Sequence, residues 1–434
     1  MNINISIDCD TCGETTNCRI GLSARYVRPL RFSCQDCGSA IDISLPDPEA
    51  SMIGKKRPFI AGGQQIPGKI PFDHETNFVD LHQDFPVSFE KYVMGHTPFL
   101  RASQRIGFEE MQLHGARLSM LDHQYTLGRD FKNLLKLYAR DRARPFRLNV
   151  ERVFEIGVRS ERLQDINAAL YTLIAKMMWP FAYPGDNEDA SALSAETVIE
   201  LGETKRQALD AFVNELRDNG FLKKLQLDCL EIYPRILDAE IALRPALFLD
   251  FDEEYAEELT PMRVSVDEFE MYKDLYKDIA EIVGRQIILI AGINNLQKRG
   301  DHNQFKPGIG LSKKSGNDHT PANLDDFANL DVGKKLDFID DNWCDFLNDG
   351  ANNQLRNAIA HYKTDYDDVS QIITYFPRKE GMKEDRSEHM YFLEFMKRIL
   401  TVYREMHNLH HLIKAMYYYE YLIKNEFEAR DSAH

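Results

Sequence analysis

The chain of 434 residues has no apolar run near the roughly 18 residues that a membrane-crossing helix needs; its best stretch, Ile287 to Ala291, is far shorter. Its start, MNINISIDCD, lacks the basic flank and apolar core of a secretory signal. A cytoplasmic chain with no membrane partner is therefore expected. Positive charge is also short: 53 Lys and Arg stand against 69 Asp and Glu, a net charge of −16. This excludes a surface that coats duplex DNA or anionic lipid throughout, though not a local basic groove. Cysteine is scarce beyond residue 37, where only Cys229 and Cys344 occur. A secreted disulfide scaffold would spread its cysteines along the chain. No Walker loop, Gly-x-Ser-x-Gly, His-Glu-x-x-His or kinase motif is present, and no repeat of fixed period. The segment Gly308-Ile-Gly310-Leu-Ser-Lys-Lys reads as a loop.

The charge that is present is unevenly divided. Residues 1–162 hold 22 basic and 20 acidic side chains, whereas residues 163–434 hold 31 and 49, a net of −18. Basic residues are densest from Arg101 to Arg162, and Arg19, Arg25, Arg28 and Arg31 form a smaller cluster near the N-terminus. An anionic partner is expected to meet this half first; a solvated helix face is the plainer alternative.

Periodicity gives a mainly α chain with a small β module in front. Alternating INISID, SARYVRPLRFS and AIDISL mark short strands over 1–45, and the Pro- and Gly-rich stretch 46–100 reads as an irregular connector. A helical middle domain is expected over 101–260, with PGDNEDASALS at 184–194 as a loop. A C-terminal helical domain follows over 261–434. It contains a long helix with an acidic first turn from about Ser265, a strand QIITYF, and a closing helix from about Glu388 to Glu426.

The densest chemistry lies in the cysteines. Cys9-x2-Cys12 and Cys34-x2-Cys37 supply four thiolates at the spacing of two knuckles, the tetrahedral sulfur set that zinc prefers. Gly13 and Gly38 follow the second cysteine of each pair, where the knuckle turn needs a positive φ. The segment resembles a zinc ribbon. Four protein ligands make a closed, structural zinc site. Cys18 is a bystander or a substitute ligand. The ribbon either touches nucleic acid through its basic loop or pins the N-terminus.

A second constellation is Arg356-Asn357-Ala-Ile-Ala-His361. On a helix, Asn357 and His361 share a face, whereas Arg356 lies about 140° from His361. Arginine suits phosphate and histidine titrates near neutrality; the plain alternative is a solvated helix C-terminus. The segment LRNAIAHYKTDYD is similar to the R-x4–6-H signature of HEPN domains, helical bundles that dimerise and in many members cut RNA without a catalytic metal. The resemblance implies a HEPN-like bundle over roughly 265–425. Arg356 would hold the scissile phosphate, His361 would act as general base or acid, and Asn357 would orient one of them. A homodimer would assemble the composite site on an RNA substrate. Cleavage would leave 2′,3′-cyclic phosphate ends, in a toxin or antiviral defence effector restrained by an unknown trigger or antitoxin. Where the nucleotidyltransferase-silenced toxins carry a Tyr two places after the His, this chain has Lys363, so that particular partner is not expected. The rival is a non-catalytic dimeric sensor or adaptor whose ribbon binds protein or nucleic acid. A zinc-ribbon DNA regulator is a third reading, without a recognisable recognition helix. His407, His410 and His411 read as an exposed helix face, and Tyr272, Tyr276 and Tyr417–Tyr419 as packing residues.

Overall fold

Isoleucines at alternate positions from Ile3 to Ile7 give the first strand one apolar face, and Cys18 and Ile20 give the second strand its match. The computed structural model describes residues 2–25, 29–45, 58–68, 70–182, 184–252, 254–256, 260–266, 268–309, 319–340, 359, 364–376 and 387–425. It is mostly helical, with small sheets concentrated towards the N-terminus. Two compact units form, each from three segments: Met1–Tyr125, Leu237–Leu275 and Asn357–Leu400 in the first; Thr126–Ile236, Tyr276–Arg356 and Thr401–His434 in the second.

In the first unit, β1 (Asn2–Cys9) and β2 (Thr15–Gly21) pair antiparallel from Asn2↔Gly21 to Asp8↔Thr15. A second sheet joins β3 (Leu30–Ser33), β4 (Ala40–Ser44) and β5 (Phe59–Ala61), all antiparallel. β6 (Gly63–Ile66) adds to β1, and β7 (Asn77–Leu81) runs parallel to β2. Ile7, Ile20, Phe32, Ile41, Ile43 and Leu81 are buried in one core between the two sheets. The stretch read as an irregular connector thus carries strands. Each has at most five residues and takes its apolar partners from β1, β2 and β4, too short an alternation to stand out.

The unit continues with β8 (Val87–Ser88), paired to β9 (Met262–Arg263). A third sheet holds β10 (Thr364–Asp367), β11 (Ile372–Tyr375) and β12 (Glu388–Tyr391). QIITYF is therefore a strand as expected, whereas Glu388 opens a strand before the closing helix.

The helices are α1 (Pro98–Ala139, broken at Gly107 with φ 81°), α2 (Ala143–Phe154), α3 (Leu163–Met178) and α4 (Pro184–Thr204). Then come α5 (Arg206–Asp218), α6 (Phe221–Asp238), α7 (Glu240–Phe248) and α8 (Phe269–Arg299). Two single-turn helices, α9 (Leu324–Ala328) and α10 (Val332–Leu336), precede α11 (Phe392–Tyr418), which ends in a π turn at Tyr419–Ile423. The expected loop at 184–194 is helical: Pro184 stands at the first helical position, where its missing N–H costs nothing, and Asp186 faces the helix N-terminus. An 18-residue window of α8 is apolar enough to cross a membrane, yet 89% of it is buried inside the protein, as befits a core helix.

Helix α5 shows how the second unit is packed. Leu209, Phe212, Val213 and Leu216 recur at helical spacing and are buried. Gly292 on α8 admits the Phe212 ring: a Cβ there would lie 2.3 Å from Phe212 Cζ. Phe212 is fully buried and has no room to retreat. Gly292→Ala is therefore expected to destabilise the fold by about 1–3 kcal/mol; an unchanged urea midpoint would contradict this packing.

Candidate metal centre

Each CxxC pair sits at the end of a strand on a turn built in the same way. In the first, the Gly13 N–H donates to Cys9 O (2.9 Å) and the Cys9 N–H to Glu14 O (3.0 Å). In the second, Gly38 N–H donates to Cys34 O (2.9 Å) and Cys34 N–H to Ser39 O (2.9 Å). Gly13 (φ 77°) and Gly38 (φ 74°) occupy the left-handed region that the spacing predicts. Cys9 and Cys34 are buried in the core between the sheets, and Cys12 and Cys37 are exposed at its rim.

The four Sγ atoms all lie within 4.8 Å of one another. Cys9 and Cys37 approach to 3.7 Å, and Cys12 and Cys34 to 3.6 Å. A disulfide would need about 2.05 Å, so these are separate thiols. Zinc–sulfur bonds of about 2.3 Å in a tetrahedron place sulfurs about 3.8 Å apart. The donor set therefore fits a metal ion, and sulfur ligands of this geometry suit zinc. Ser39, through its hydroxyl and its backbone, holds the Cys37 thiol down to about 6. At Cys12 the Glu14 backbone favours the thiolate, but lost hydration and the neighbouring sulfurs of Cys37, Cys34 and Cys9 push the thiol up to about 12. A dication supplies the charge that lets all four ionise together. Cys18 stays apart: it is fully buried, its Sγ 3.8 Å from Thr16 O, and burial pushes its thiol up.

The basic cluster around the ribbon is engaged internally. Arg19 is buried and grips Asp80 through Nε (2.6 Å) and Nη2 (2.7 Å) while Nη1 donates to Val93 O (2.9 Å). Arg31 pairs with Asp42 (2.6 Å), its register partner on β4. Arg25 pairs with Glu240 and Asp122 and lies over the Tyr125 ring at 4.1 Å. Within the denser run, Arg101, Arg105 and Arg117 pair with Glu90, Asp252 and Asp250. Arg28 lies outside the described residues.

Around Arg25 lies a network that sequence reasoning missed. Arg244, 1% exposed, donates to Glu240 (2.6 Å), Asp84 (2.6 Å) and Asp122 (2.5 Å). Two guanidiniums thus share three carboxylates. Glu240 and Arg244 stand one helical turn apart, the only local signal of the set. Beside it, the Asp84 N–H donates to His82 Nδ1 (3.0 Å), and burial pushes His82 and His114 down to about 4.

The catalytic set expected by resemblance, Arg356, Asn357 and His361, lies outside the described residues, as does Cys344. Ile359, at the centre of that motif, is helical and 3% exposed. The histidines of α11 do not form an exposed face. His407 and His410 are buried, and both Nδ1 atoms meet the buried Tyr233 hydroxyl, at 3.0 and 2.7 Å. A phenol has one proton, so it donates to one imidazole and accepts from the other. His411 is half-buried, 2.8 Å from Asn187 Oδ1. Loss of hydration pushes the three down to about 4, 3 and 2 respectively. They stay neutral where a solvated histidine would charge. Tyr272, Tyr276, Tyr417 and Tyr419 are buried packing residues, as expected.

Two outcomes follow. Metal analysis is expected to find one zinc per chain, lost with a lowered thermal midpoint in Cys12→Ser and Cys37→Ser but kept in Cys18→Ala; zinc retained in the first two would break the assignment. The five depressed histidines (82, 114, 407, 410, 411) bind protons in the unfolded chain near pH 6.5 but in the folded chain only near pH 4 or below. The unfolded state then holds more protons, so stability is complete above about pH 6.5 and falls as pH drops towards 4, by up to about 1.4 kcal/mol per pH unit for each histidine. Urea midpoints that match at pH 7 and pH 5 would contradict this. No family model, curated protein or solved structure matches the chain.

Proposed function

We propose that this chain is a metal-independent endoribonuclease of HEPN type whose N-terminal ribbon holds a structural zinc. The observation that carries the reading is the Arg356-Asn357-Ala-Ile-Ala-His361 motif, with Ile359 helical and buried at its centre. By helix arithmetic an arginine and a histidine five residues apart stand about 140° from one another, so a composite site takes Arg356 and His361 from two copies, and the active form is a homodimer.

In that site Arg356 binds the scissile phosphate and Asn357 fixes its orientation or that of the imidazole. His361 takes the proton from a ribose 2′-OH; the 2′-oxygen attacks phosphorus, the P–O5′ bond breaks, and the 5′-oxygen takes a proton from water. The products are a 2′,3′-cyclic phosphate and a 5′-hydroxyl. By the same resemblance the protein is a toxin or antiviral defence effector in the cytoplasm, restrained until triggered. Of the ribbon's arginines, the described Arg19, Arg25 and Arg31 serve the fold, each already paired with a carboxylate. The ribbon is accordingly assigned a structural role.

One observation favours a second reading. Residues 163–434 carry a net charge of −18, which opposes the approach of RNA. Here the bundle only dimerises, and the chain is a non-catalytic sensor or adaptor.

Incubation of the zinc-loaded protein with a mixed RNA pool, without added divalent metal, separates the two. Wild type is expected to cut and leave cyclic-phosphate ends, while His361→Ala and Arg356→Ala cut at least about 100-fold more slowly. Equal cutting by all three would remove the site assignment. No cutting, together with equal growth of cells overexpressing wild type or His361→Ala, would favour the adaptor.

A further inference from the structure

In the second unit, α4 and the end of α11 enclose a cleft of about 170 Å³ that the proposed nuclease chemistry does not use. Its walls are apolar, with Val198 and Ile199 on α4 and Ile423 in the π turn. Four polar side chains line the same space: Ser191, His411, Lys414 and Tyr418.

Lys414 is the unusual member. It is half-buried, and among the described residues no carboxylate lies within ion-pair distance of its ammonium. Its ammonium lies over the face of the Tyr171 ring, 5.9 Å from Nζ to the centroid, near the limit of cation–π reach. His411, also on the wall, adds no charge, because burial keeps it neutral. Desolvation lowers the Lys414 pKa with nothing to oppose it. A partly desolvated cation in an apolar cleft is costly unless an anion accompanies it. Here the described residues supply the cation and two hydroxyls, but not the anion.

We propose that this cleft binds a monocarboxylate with a short aliphatic body, its carboxylate on Lys414 Nζ and the Ser191 and Tyr418 hydroxyls, its chain against Val198, Ile199 and Ile423. One cation matches one negative charge, which selects a carboxylate over a phosphate dianion. The apolar walls select an alkyl body over a sugar or nucleotide. The small volume holds it to a short chain.

Hexanoate, hexan-1-ol and hexylamine are suitable probes for the full-length, zinc-loaded protein by calorimetry. Hexanoate is expected to bind with a Kd on the order of 1 mM. Hexan-1-ol and hexylamine are expected to bind at least about tenfold more weakly, as is hexanoate to Lys414→Met. Lysine acylation followed by mass spectrometry supplies a readout on wild type alone: hexanoate is expected to slow modification of Lys414 several-fold and to leave exposed lysines unchanged. No hexanoate binding at about 20 mM, equal binding to Lys414→Met, or unprotected Lys414 would each overturn the proposal.

Discussion

Four sulfur atoms held within 4.8 Å of one another set the constraint on which the N-terminal module depends. Without a cation, four thiolates at that spacing repel; with one, they draw two sheets together. The first knuckle ends β1 and the second follows β3, so a metal held there would join two sheets that also share an apolar core and a few hydrogen bonds, such as Ser39 Oγ to Thr11 Oγ1 (3.0 Å). That core is small, with Ile7, Ile20, Phe32, Ile41, Ile43 and Leu81 as its main side chains. A module of this size needs such a staple, because its short strands bury too little apolar area to hold their register alone.

Charge recurs inside the first unit in the same form, as ions taken out of water in matched sets. Arg19 is buried against Asp80 beside the rings of Phe78 and Tyr92, each 5.3 Å from its guanidinium carbon. Arg244 gathers three carboxylates, two of them shared with Arg25. Such sets add little net stability over an apolar core, yet loss of one partner leaves an uncompensated buried charge. They therefore tie distant segments together: Asp84, Asp122 and Arg244 come from three separate parts of the chain. The second unit also holds neutral polar groups out of water, with Tyr233 bridging His407 and His410 in a site too dry to charge them.

What the sequence made legible was local. The cysteine spacing and the two following glycines are read within a few residues, and both knuckles form as that spacing dictates. Long helices such as α8 and α11 announce themselves by period. The strands between 59 and 88 did not, since a strand of two to five residues leaves no period to detect. Arg19, Arg25 and Arg31 look like a nucleic-acid patch until their partners at Asp80, Glu240 and Asp42 are brought in by the fold. His407 and His410 look solvated because Tyr233, which satisfies them, is more than 170 residues away.

In the function we propose, the paired Arg19, Arg25 and Arg31 serve the N-terminal module as a scaffold, and chemistry on RNA is left to the motif around Ile359. The claim beneath this division is that Cys9, Cys12, Cys34 and Cys37 alone hold one metal ion in a closed site. X-ray absorption at the zinc edge on the purified full-length protein tests it most directly. The account predicts a single shell of four sulfurs at about 2.3 Å. A shell containing nitrogen or oxygen, or fewer than four sulfurs, would contradict it.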